Sequence, residues 1–69
     1  MNTVPVVNGN NINLYSNGVR RGSINDVRDI AGAPVIYNNN INVPVKQSDG
    51  SIVTKQYDER TGIYKGTLY

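Results

Sequence analysis

A mainly β fold is what this sequence predicts: a small antiparallel sheet or partly open barrel of about five short strands, with one short helix near residues 23–31. Three observations predict it. Valine and isoleucine occur sixteen times together and leucine only twice, and β-branched side chains suit a pleated surface better than a helix. Asparagine occurs eleven times, mostly in two clusters, Asn8-Gly9-Asn10-Asn11-Ile12-Asn13 and Asn38-Asn39-Asn40-Ile41-Asn42. Asparagine tolerates left-handed backbone angles and hydrogen-bonds its own backbone, so these clusters read as bends rather than chemistry. Finally, each cluster follows a short apolar run that opens on a proline, Pro5-Val6-Val7 and Pro34-Val35-Ile36.

Val4 to Val7 reads as the first strand, and Asn8-Gly9 as a hairpin turn with positive φ at both centres. Ile12 to Tyr15 resumes the strand, and Asn17-Gly18 is a second turn of that kind. Val19-Arg20-Arg21 is a short third strand or a connection. Ser23 to Ala31 is the one helix. Ser23 serves as its N-cap, and Ile24, Val27, Ile30 and Ala31 give it an apolar face. Gly32 and Pro34 end it. At under three turns it requires a sheet or a partner to pack on.

Val35 to Tyr37 is again a strand, and Asn38-Asn39-Asn40 bends the chain. From Ile41 to Lys46, Ile41, Val43 and Val45 fall on one face and Asn42, Pro44 and Lys46 on the other. Pro44 cannot donate to a ladder, which places this strand at an edge. Ser48-Asp49-Gly50 marks the next turn, Ser51 to Tyr57 a strand, Asp58 to Gly62 a polar loop, and Ile63 to Tyr69 a final strand. The 29-residue spacing from Pro5 to Pro34 fits a duplicated hairpin less well than convergence on a restricted composition.

Residues 1–69 therefore read as a single small domain. Within it, residues 1–20 are polar enough for an extended arm that a partner orders. A chain of this length hides a limited share of its surface. Cysteine and histidine are absent, which removes disulfides, thiolate metal sites, and the commonest general base and nitrogen ligand. No acidic run has the spacing of a calcium loop. Self-association or docking on a larger partner is the compensation left.

Seven basic and five acidic residues give a net charge of +2, thinner than the basic stripe of a dedicated nucleic-acid binder. No apolar run has the length of a membrane span, and no secretory leader or Asn-x-Ser/Thr sequon is present. The expectation is a product made in the cytoplasm, with no membrane partner.

No catalytic set is legible, and no metal or cofactor is expected. The serines have no base near them in sequence. Asp26 and Asp29 read as helix and surface charges, and Asp58-Glu59 as a solvated loop. Arg20, Arg21, Gly22 and Ser23, placed before the predicted helix, form the one candidate anion site. Tyr57, Arg60, Tyr64, Lys65 and Tyr69 interleave aromatic and basic character. Together with Tyr37, Ile41, Val43 and Val45 they are the candidate partner-binding residues, with a protein partner preferred because Tyr and Arg are enriched at contacts.

This turn-dominated, asparagine-rich composition resembles in general terms that of small viral particle proteins. The resemblance implies a non-enzymatic structural subunit such as a capsid decoration, cement or tail component, with the virion as its destination. It would bind a larger lattice, or itself as an oligomer. A small SH3-like or OB-like single-stranded nucleic-acid-binding domain, or a strand-adding protein inhibitor, is the alternative.

Overall fold

The computed structural model describes residues 3–68. They form seven strands: β1 (Thr3–Asn8), β2 (Asn11–Ser16), β3 (Val19–Ile24), β4 (Val35–Tyr37), β5 (Asn40–Lys46), β6 (Ile52–Asp58) and β7 (Tyr64–Leu68). The first three make one antiparallel sheet in the order β1-β2-β3, and the other four a second, β4-β5-β6-β7. The mainly β, antiparallel expectation holds. The two sheets remain open and do not close into a barrel, so the partly open barrel gives way to two separate layers.

Turn chemistry sets the hairpins. Asn17 and Gly18 have φ of 54° and 78°, and Asn38 and Asn39 of 49° and 64°. Both pairs thus supply the two positive angles that join right-twisted strands tightly. The first hairpin differs from expectation by one residue. Asn8 pairs with Asn11, so Gly9 and Asn10 are the centres, and of these only Gly9 has positive φ. Most other described asparagines lie on strands, and the side chains of Asn11, Asn40 and Asn42 accept hydrogen bonds. Asn42 Oδ1, for example, accepts a hydrogen bond from Gln56 Nε2 on the neighbouring strand (3.2 Å).

Alternation then builds one core between the sheets. Ile12, Leu14, Ile24 and Val27 pack with Ile41, Val43, Val45, Val53 and Tyr57, flanked by the partly buried Ile30 and Ile36. Burying an aliphatic side chain of this kind contributes about 1.5–3 kcal/mol.

The predicted helix over residues 23–31 does not form, and the physical reason is competition for its backbone. Ser23 and Ile24 belong to β3, opposite Asn13 and Ile12. Asp26 and Asp29 take φ of 59° and 57°, left-handed angles that stop a right-handed helix. The remainder is an extended strap. Val27 N donates to Asn10 O on the first hairpin (2.8 Å), Ala31 N donates to Pro44 O (2.8 Å), and Lys46 N donates to Asp29 O (2.8 Å). The spacing that suggests a helical face is real as a burial pattern, since Ile24 and Val27 are buried and Ile30 partly so. Left-handed residues three apart turn the chain so that the same positions face inward.

The strap also corrects the placement of Pro44. Strand β5 lies between β4 and β6, not at an edge. Its free side is shared: β4 pairs with Asn40–Asn42, and the strap pairs beside Pro44 to Lys46 through the bridge of Ile30 with Val45. The Pro44 carbonyl faces the strap, so its nitrogen, on the same side of the strand, also faces away from β6. The missing donor therefore falls where the ladder is already irregular.

Two substitutions test this architecture. At Asp29, glycine should leave the thermal midpoint at or above that of the wild type, while alanine should lose about 1 kcal/mol. A helix would reverse that order. Val43 is fully buried, so Val43→Asp should abolish the cooperative melt followed by circular dichroism. Asn42→Asp on the opposite face should leave a folded protein.

Candidate functional site

The candidate partner residues separate into two groups. Ile41, Val43 and Val45 line the inner face of β5 and are buried between the sheets, so no partner reaches them in this fold. Tyr57 is buried as well. Its ring centroid lies 5.5 Å from that of Tyr64 at an interplanar angle of 59°, a tilted contact favourable for aromatic rings. Tyr37 is 65% exposed at the end of β4, and Tyr64 is half exposed on β7. Tyr69 lies outside the described residues.

A bulge between Gln56 and Tyr57 sets the rest of β7. Gln56 faces Gly66 while Tyr57 faces Tyr64, leaving Lys65 as the extra residue. The bulge carries Lys65 Nζ to Asn40 Oδ1 (2.5 Å) and to 3.9 Å from Asp58 Oδ2. It also places Tyr64 on the Tyr57 side and Leu68 opposite Thr54, on different faces of the sheet. Simple alternation along the sequence would have put Tyr64 and Leu68 together. The hydroxyl groups of Tyr64 and Thr67 hydrogen-bond each other.

The β6–β7 loop is organised by Asp58. Its Oδ1 accepts hydrogen bonds from the backbone N–H of Arg60 (2.8 Å) and Thr61 (3.1 Å). These two bonds stabilise the ionised form and hold the carboxyl below its ordinary pKa, with a smaller contribution from the Lys65 charge. Burial, and secondarily Tyr64, pushes the Tyr57 phenol up.

The four candidate anion residues lie on β3 rather than before a helix. Ser23 Oγ donates to Asn25 Oδ1 (3.3 Å). Arg20 is opposite Tyr15, and the register breaks there, with Leu14 facing Gly22 and Arg21 left as the bulged residue. Arg21 and Gly22 line a cavity of about 330 Å³ with Thr3, Leu14, Ser16, Glu59 and Arg60. The structure thus joins Arg60 to two residues that lie far from it in the sequence.

The surface least visible in the sequence is the rim made by β1 and β4, which touch across the gap between the sheets. Val4, Val6 and Val7 on β1 and Val35 and Tyr37 on β4 are all exposed. Only one side of β1 is paired, with β2. An alternating reading puts half of such a strand indoors, but β1 is apolar on both faces. Its Val4-Pro5-Val6-Val7 run is the available signal.

Asp58 gives a pH test with a definite sign. A lowered carboxyl pKa contributes stability above the unfolded value, about 3.9, and loses it as pH falls through the folded value. Asp58→Ala should therefore melt below the wild type at neutral pH, and the two melting curves should converge under acid conditions. No protein-family model, curated protein or solved structure matches the chain, so the site is read from its own geometry.

Proposed function

We propose that the chain is a non-enzymatic structural or assembly subunit. In the finer form of the proposal it is a small viral particle protein, a capsid decoration, cement or tail component, that docks through β edges on a larger protein lattice or on itself. The single observation that carries this reading is the difference among its four free edges. Strand β3 bears Arg20 and Arg21 and β7 bears Lys65, and edge charges of this kind discourage pairing with other chains. Strands β1 and β4 carry no charge. They lie side by side and expose Val4, Val6, Val7, Val35 and Tyr37.

An uncharged, valine-rich edge offers backbone hydrogen bonds to an incoming strand and apolar area to its side chains. Pro5 is the one blunting device on β1. Single-stranded nucleic-acid binding has less support, because Tyr57 is buried and Lys65 is already engaged by Asn40 and Asp58. A strand-adding inhibitor would use the same β1 edge and differs only in its target.

Sedimentation velocity over a concentration series tests the proposal in its self-assembling form. The wild type should associate as concentration rises. Val6→Lys, at an exposed position, should remain monomeric with an unchanged thermal midpoint. A wild type that stays monomeric throughout defeats self-assembly, and a lysine variant that associates like the wild type removes β1 as the contact.

A further inference from the structure

The cavity beside β3 has the features of a built site. Gly22 faces the buried Leu14 across the ladder, on the same side of the sheet, and is itself exposed, so the cavity opens to solvent at this position. A Cβ placed there would meet nothing within 4 Å. The bulge brings Arg21 to the same opening, and Asp58 fixes the backbone of Arg60, which also lines it. Neither guanidinium forms an ion pair among the described residues. Glu59 also lines the cavity, which leaves its wall with one net positive charge.

Ser16 supplies an independent observation. It lines the cavity and is 3% exposed. Among the described residues its Oγ is the one buried side-chain polar atom without a hydrogen-bond partner. Buried hydroxyls are nearly always paired, and a serine can both donate and accept. An unpaired hydroxyl at the wall of a cavity with two uncommitted guanidinium groups points to a ligand.

We infer that this cavity binds a monocarboxylate carried on a short apolar group. Arg21 and Arg60 take the carboxylate, a geometry that guanidinium groups match with paired hydrogen bonds. Leu14 and the space left by Gly22 take the apolar part, and Ser16 Oγ gains its partner. Glu59 selects against a dianion such as phosphate. The carboxylate belongs either to a free acid or to the terminus of a protein chain, since the recognised chemistry is the same. Edge docking through β1 uses Val4, Val6 and Val7, none of which lines the cavity, although Thr3 at the start of β1 does.

Titration of the ¹⁵N-labelled full chain, followed by amide chemical shifts, tests the inference with three probes. These are octanoate, a short peptide ending in leucine with a free carboxylate, and inorganic phosphate. Saturable shifts should centre on Leu14, Ser16, Arg21, Gly22 and Arg60 with octanoate or the peptide, and be absent with phosphate. Tighter binding of octanoate identifies a free acid as the source, and tighter binding of the peptide a chain terminus. Gly22→Leu should abolish the shifts, and Arg21→Gln and Arg60→Gln should each weaken binding about tenfold. The two glutamine variants decide the matter if the leucine variant does not fold. Absence of saturable shifts with both carboxylates, phosphate binding as tight as theirs, or wild-type affinity in both glutamine variants overturns the inference.

Discussion

The strap between Ile24 and Val35 is the constraint on which the rest of the molecule depends. Each sheet is a run of hairpins with its own ladder, and the strap gives backbone hydrogen bonds to both. It reaches the first sheet through Val27 and Asn10, and the second through Asp29, Ala31, Pro44 and Lys46. The same segment plugs the layer with Val27 and covers the free side of β5 where β4 has ended. Without disulfides in so short a chain, holding the layers in register falls to these bonds and to the apolar seam they align.

This constraint explains which parts of the fold are legible in the sequence. Most of the strands show as apolar runs between turn signals, because period-two alternation and left-handed asparagines are local properties. The seven strands exceed the five or so expected, and β3, with Arg20, Arg21 and Gly22 in it and its end read as helix, is the least legible. The inward face of β5 is readable for the same reason. The strap is not. Its spacing of Ile24, Val27 and Ile30 satisfies a helical template, and a local reading has no means of weighing the partners that a distant strand offers. The needs of Pro44 and Lys46 decide the conformation of Asp29 and Ala31, and they lie some fifteen residues away.

The candidate sites are legible unevenly. In the sequence Arg21 and Gly22 stand out as neighbours of a helix that does not form, yet the β3 bulge gives them a cavity for a different reason. Arg60 stands out as part of an aromatic and basic cluster, whereas in the fold it lines the same cavity as Arg21. The two bulges are responsible. Each inserts one residue, Arg21 in β3 and Lys65 in β7, and reverses the facing of the residues beyond it; the glycine that follows each, Gly22 and Gly66, is the local cue. The apolar rim of β1 escapes a local reading because a strand apolar on both faces looks like a core strand until its neighbours are known.

The strand order has a kinetic consequence. Every ladder joins strands that are consecutive in the chain, β1-β2-β3 and then β4-β5-β6-β7. Pairings of this kind close short loops and require little search, which favours rapid formation. Docking the two finished meanders through the strap is the one step that brings distant segments together. A chain built this way would regain its shape quickly after unfolding, with the joining of the layers as its slowest event.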